Sequence, residues 1–381
     1  MKVPFLDLSA QARNLGGAVE AAVAEVLASQ RFILGPAVDR FEAAMAAYCG
    51  VPHAIGVGSG TDALVLALRA LGVGPGRVVV TTPFSFFATA SAVARLGGRV
   101  LFADVDPQTL NLDPAAVEAV LAAGIPGVVG LLPVHVFGRL APMADLAALA
   151  SRHGLWIVED AAQAVGARGA TGMAGTIGRA GCLSFYPTKN LGGVGDGGMV
   201  LTADEALATA VRRDRNQGMT GPYQHASLGA CSRLDSINAA ALHVKLAHLD
   251  DWNARRRAVA ARYAEGFRDG GLAGGPDSAV VLPEPAAAAH VFHQYVVRAR
   301  ARDALAEHLA AEGVVTQVYY RTPLHRQPPL AEFALVPRPL GHAERAAGEV
   351  LALPLYPELA DAQVAHVVRA CERFYATGPT L

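Results

Sequence analysis

Between residues 53 and 202 the chain alternates short runs of Val, Ile, Leu and Phe with stretches of helical periodicity, and this alternation limits the possible folds more than any other feature. Apolar runs at 53–58, 77–82, 99–104, 127–133, 154–160, 181–186 and 197–202 predict seven strands. Helical patterns at 61–71, 86–96, 114–123 and 143–152 separate the first five, which makes βαβ units and a parallel sheet covered on both faces. Only residues 187–196 join the sixth run to the seventh. That is too short for a crossover helix, so the seventh strand is predicted antiparallel to the sheet.

Beyond residue 204 the pattern changes. Residues 234–267 carry helical periodicity broken near the middle, suited to leading the chain from one domain into the next. The breaks at Gly270-Gly271 and Gly274-Gly275-Pro276 open a new unit. There a strand at 291–299, a helix at 303–312, a strand at 314–320 and a closing helix at 361–376 predict a small α/β domain. With 381 residues, two unequal domains are expected: a large one over 1–250, with helices in its leading segment 14–49 packed outside, and a small one over 251–381.

Composition agrees with a large buried core. Hydrophobic residues make up 52% of the chain and charged residues 17%, which suits a two-faced sheet rather than a disordered or fibrous protein. A net charge of −1 with scattered Lys and Arg excludes a nucleic-acid groove. No apolar run reaches membrane-spanning length, and the first residues lack the apolar region of a signal peptide. Cys49, Cys182, Cys231 and Cys371 are far apart and form no zinc or disulfide spacing, so a reducing cytoplasm and no metal are expected.

In open parallel sheets, ligands bind beyond the carboxyl ends of the strands. The first strand is followed there by Gly58-Ser59-Gly60-Thr61-Asp62, small and hydroxyl residues whose helix start offers free N–H groups to a phosphate, or simply an ordinary N-cap. After the second come Phe84, Phe86 and Phe87, able to stack on a flat ring or to pack in the core. The fifth ends in Glu159-Asp160-Ala161-Ala162-Gln163, two adjacent acids of which one faces inward and needs a cation, from a tertiary salt bridge or from a protonated ring nitrogen. After the sixth come Ser184 and Lys189, the latter leading into the glycine-rich run 191–198. A phosphate cradle, a stacking ring, an acid for a pyridine nitrogen and a lysine for an aldehyde together describe pyridoxal 5′-phosphate.

At this point the chain resembles the sugar aminotransferases related to DegT, DnrJ and StrS, which are fold-type I pyridoxal-phosphate enzymes. The likeness is carried by Pro4–Leu8, Phe32–Pro36, Gly60-Thr61-Asp62-Ala63-Leu64, Glu159–Gln163, Ser184-Phe185-Tyr186-Pro187-Thr188-Lys189-Asn190 and Ser232-Arg233-Leu234-Asp235. It implies Lys189 as the cofactor-bearing amine and proton shuttle, Asp160 on the ring nitrogen and Gln163 near the ring hydroxyl. Ser59, Gly60, Thr61 and Ser184 would hold the phosphate, and Phe86 would stack. It also implies a homodimer with shared active sites, in which the segment 218–233 reaches the neighbour, and a nucleotide-linked keto-sugar aminated by glutamate or glutamine. Arg233, Tyr320 and His325 are the expected substrate contacts. Two positions depart from the family pattern: Cys231, where relatives carry Asn, and Arg321, where relatives often carry Pro. Alternatives are a pyridoxamine-phosphate sugar dehydratase, in which His replaces the lysine, a non-catalytic regulator, and another fold-type I enzyme.

Overall fold

The structure is a computed structural model that describes residues 1–275 and 278–376. Pro276 of the expected glycine–proline break and the last five residues of the expected small domain lie outside the described residues.

The seven apolar runs form strands β1 (His53–Val57), β2 (Val78–Thr81), β3 (Arg99–Phe102), β4 (Val128–Leu132), β5 (Trp156–Asp160), β6 (Ala180–Ser184) and β7 (Gly198–Thr202). Later come β8 (Val280–Val281), β9 (Tyr295–Ala299), β10 (Ala334–Leu335) and β11 (Val350–Leu353). In the large sheet the order is β1-β7-β6-β5-β4-β2-β3-β10. Only β7 runs antiparallel, pairing with β1 on one side and β6 on the other, as the short connection requires. Two of the helices between strands start where the sequence supplies a cap: Ser59 accepts from the amide of Asp62, and Asp113, followed by Pro114, accepts from that of Ala115.

The sheet has eight strands rather than the expected seven. Its extra strand, β10, lies parallel to the β3 edge and comes from the far end of the chain. Two apolar residues leave no periodicity to read, yet they cover an edge that would otherwise expose unpaired backbone groups.

The expected helix at 234–267 is two helices, Ser236–Leu246 and Leu249–Asp269. The second spans two cores: Leu249 packs beneath the large sheet with Phe41, Phe185 and Leu242, whereas Val259, Tyr263 and Phe267 pack with Tyr295, Leu351 and Phe374. Around that second core β8, β9 and β11 form a three-stranded antiparallel sheet. The expected strand at 314–320 does not form; Val314 bridges only to Val3, and Gln317 only to Ala352. The fully buried β11 pairs with β9, and the segment 314–320, of which Val315 is 48% exposed, meets only the outer edge of β11 through Gln317.

Candidate active site

Asp160 closes β5 and is 5% exposed. Its Oδ2 accepts from Thr89 Oγ1 at 2.7 Å and its Oδ1 from the amide of Ala162 at 3.3 Å. Because the single proton of Thr89 goes to the carboxylate, Ser85 Oγ donates to Thr89 Oγ1, 2.8 Å away. Burial pushes the Asp160 carboxyl up from its ordinary value, opposed by the bonds from Thr89 and Ala162 and by the charge of Lys189.

Glu159 points to the opposite face and is equally buried, contrary to the expectation that one acid alone would be inside. Both faces of a parallel sheet are covered, so alternation gives no exposed side here. Glu159 is satisfied without Lys or Arg. Its Oε1 accepts from the amides of Ile177 and Gly178, and its Oε2 from the amide of Gly175 and from His135 Nε2 at 2.9 Å. The other His135 nitrogen, Nδ1, accepts from the amide of Ala141, which puts the ring proton on Nε2 in the neutral tautomer.

Lys189 stands in the turn after β6, where its amide donates to Tyr186 O. The residue is half-buried, yet water is displaced from its amine strongly enough to bring the pKa down to about 8, with Asp160 opposing. The glycine run behind it is held by the helix Ser236–Leu246: Lys245 Nζ donates to Gly192 O at 2.7 Å, and Asn238 bonds the amide of Val194 and the carbonyl of Asp196. A side chain at Gly193 would place its Cβ 2.1 Å from Asn238 Oδ1, so glycine is required there.

Gly198 of β7 pairs with both Val57 and Ser184, and so brings the end of β1 against the end of β6. There a Cβ on Gly60 would meet Ser184 Cβ at 2.7 Å, so only glycine leaves this hollow open. The helix Gly60–Ala70 starts in it and turns its positive end inward. Ser59 is the N-cap, as the plainer sequence reading allows, and Thr61 follows in the first turn. A helix N-terminus beside Ser184, a half-buried amine of lowered pKa and a buried carboxylate fit a phosphate, an aldehyde and a ring nitrogen respectively.

Phe86 is 61% exposed, a large ring left uncovered beside Thr61, while Phe84 is fully buried against Phe137 and Tyr320. Phe84 therefore belongs to the core. Gln163 is gripped at both ends: its Oε1 accepts from the amide of Phe137 at 2.6 Å, and its Nε2 donates to the Tyr320 hydroxyl at 2.9 Å. Arg233 reaches the rim of the hollow, since it bridges Val57 and its neighbour Ser232 accepts from the amide of Gly58. Its guanidinium donates to Asn216 Oδ1 and lies 2.8 Å from Cys231 Sγ.

His325 is not part of this cluster. Its Nε2 bonds to Glu344 and its ring lies against Phe102 at the end of β3, because the 3-10 turn Leu324–Arg326 folds toward the helix Gly341–Glu349. Arg321 is an exposed cation paired with Asp303. Sequence reasoning overlooked Thr89, Ser85 and His135. Only proximity in the fold reveals them, since Thr89 lies 71 residues from the acid that it bonds.

Fold and site together define a fold-type I aminotransferase, whose cofactor is pyridoxal 5′-phosphate. The profile of the DegT/DnrJ/EryC1/StrS aminotransferase family matches residues 14–372, and the chain belongs to that family. It is 46% identical to a pleiotropic regulatory protein of Geobacillus stearothermophilus, with 98% of this chain and 99% of the relative covered. It is 44% identical to dTDP-3-amino-3,4,6-trideoxy-alpha-D-glucose transaminase of Streptomyces venezuelae, covering 97% of this chain and 95% of that one. A crystal structure of S. venezuelae DesV in complex with a ketimine intermediate superposes with a TM-score of 0.91 at 44% identity, covering 98% of each chain. Among the described residues no helix is long and apolar enough to cross a membrane.

Proposed function

We propose that this chain transfers an amino group from glutamate or glutamine to the ketone of a nucleotide-linked sugar. The observation that carries the chemistry is the pairing of buried Asp160, held by Thr89, with the desolvated amine of Lys189. The names of relatives support the substrate class: besides the dTDP-sugar transaminase, a 41% identical protein of Acidithiobacillus ferrooxidans is UDP-N-acetyl-3-dehydro-alpha-D-glucosamine 3-aminotransferase.

When bound, pyridoxal phosphate supplies the aldehyde that takes up the amino group and the ring that accepts electrons. In this reading Gly60, Thr61, Ser59 and Ser184 bind its phosphate, and Phe86 covers one ring face. Asp160 keeps the ring nitrogen protonated, and Gln163 orients the ring hydroxyl. Lys189 would hold the aldehyde through its Nζ, and its amine, when free, would take a proton from the donor's α-carbon. An amine with pKa near 8 is partly neutral at physiological pH and so able to accept that proton. Arg233 and Tyr320, at the rim, contact the substrate.

We place two domains in the chain, 1–250 holding the cofactor and 251–381 closing over it, and two copies in a cytoplasmic homodimer with shared sites. The dimer follows the family resemblance, and the segment 218–233 expected to reach the neighbour exposes Tyr223 at 93% and Leu228 at 86%. A regulatory role, suggested by the name of the Geobacillus relative, is disfavoured by the intact Lys189–Asp160 pair.

The test is half-reaction spectroscopy. The protein is converted to the amine form with glutamate, then mixed with a panel of dTDP- and UDP-linked keto-sugars. Loss of the amine-form absorbance with one of them identifies the substrate; persistence with all of them, or no conversion by any amino acid, rejects the proposal.

A further inference from the structure

Asn190, immediately after Lys189, is buried in a polar network that the proposed chemistry does not use. Its Nδ2 donates to Asn253 Oδ1 at 2.8 Å and to Val291 O at 3.1 Å. Its Oδ1 lies 3.2 Å from His293 Nδ1. An amide oxygen only accepts, so the His293 proton sits on Nδ1. Asn253 in turn donates to Val165 O, just beyond Gln163.

His293 belongs to the segment that leads into β9, far from Lys189 in sequence, yet it packs against two parts of the site. Through Asn190 it touches the lysine turn. Its backbone lies against Gly138, where an added Cβ would come within 2.8 Å of the His293 amide and 3.0 Å of Gln163 O. The charged groups around it are the Lys189 amine and Arg256, whose Nη1 donates to His293 O; Asp160 faces the lysine from β5. Burial and these two cations hold the imidazole well below its ordinary pKa, so it stays a neutral donor.

We propose that His293 is a positioning residue for the proton transfer. By donating to Asn190 it fixes the turn that carries Lys189, and it locks that turn to the segment bearing Gln163. Nothing in this role brings His293 into contact with substrate. The inference rests on the reading of Lys189 as the cofactor-bearing amine. Misplacement of a reacting group by about 1 Å costs on the order of a hundredfold in rate, which sets the size of the expected effect.

The experiment compares wild type, His293→Leu and His293→Asn, the last retaining a donor where Nδ1 stands. The visible absorbance of the lysine-bound cofactor is titrated against pH, and kcat and KM for the amino donor are measured. The expected result for His293→Leu is a displaced titration midpoint and a kcat lower by about tenfold to a hundredfold, with KM changed little. His293→Asn should recover most of both. In the cofactor-free protein, labelling of Lys189 by reductive methylation, followed by mass spectrometry across pH, should show a midpoint moved in His293→Leu, or in Asn190→Ser if the leucine variant does not fold. Unchanged midpoints and an unchanged kcat overturn the proposal. If wild type never acquires the lysine-bound absorbance, the functional reading itself has failed.

Discussion

Thr89 Oγ1 donates to Asp160 Oδ2 across 2.7 Å, joining the helix after β2 to the end of β5 deep in the site. That hydroxyl works against burial, which on its own drives the carboxyl toward its protonated form. Thr89→Val keeps the shape and deletes the donor. Hydrogen bonds to charged groups are worth about 1.5–3 kcal/mol, so kcat is expected to fall by about tenfold or more, with pyridoxal phosphate bound more weakly. Steady-state kinetics and cofactor titration check this.

The same burial makes a prediction of opposite sign for stability. The folded-state pKa of Asp160 lies above its unfolded value, so its contribution is fully present at low pH and is lost as pH rises through the folded pKa. Without cofactor, at neutral pH, Asp160→Asn should therefore melt higher than wild type, by about 2 °C or more. With excess cofactor the order should reverse. Thermal melts with and without pyridoxal phosphate read both.

Lys189 responds in the other direction. Its folded pKa, about 8, lies below the ordinary lysine value, so the folded protein disfavours the charged amine and regains stability as pH rises from about 8 toward 10.5. Only the neutral amine attacks an aldehyde. The rate of cofactor loading should rise by about tenfold per pH unit below 8 and level off above it. A stopped-flow record of the visible band across pH provides the measurement, and a flat profile speaks against the assignment.

The seven long strands, their order of appearance and the antiparallel β7 were legible because buried β-branched runs and connection lengths are local properties. Strand β10 was not, since two residues carry no period, and the segment 314–320 reads like a strand yet makes only isolated bridges at Val314 and Gln317. Lys189, Asp160, Gly60 and Ser184 stand at or just after the carboxyl ends of strands, where the sequence placed them. Thr89, His135 and His293 could not be found in this way, because each acts on a residue distant in sequence. The pairing of His325 with Glu344 was not legible for a related reason: nothing local to His325 announces Glu344.

Gly60 tests the phosphate hollow. Gly60→Ala would drive a Cβ to 2.7 Å from Ser184 Cβ at the surface of that hollow. The strand end must shift to relieve that contact, at a cost of about 1–3 kcal/mol in stability, and the dissociation constant for pyridoxal phosphate should rise by about tenfold or more. Equilibrium binding followed by absorbance decides the point.

Glu159 is a structural counterpart to its neighbour. Glu159→Ala strips the partner from His135 and from the amides of Gly175, Ile177 and Gly178. Leaving buried donors unsatisfied costs about 1–3 kcal/mol each, so urea denaturation should show a loss of about 3 kcal/mol or more.

The assignment of Lys189 as the amine that carries the cofactor is open to a direct test, because the chain holds only three lysines, Lys2, Lys189 and Lys245. The measurement is borohydride reduction of the cofactor-loaded protein followed by peptide mass spectrometry. The cofactor mass is expected on Lys189 alone. The mass on Lys2 or Lys245, or on none of the three in a protein that still transaminates, would contradict the assignment.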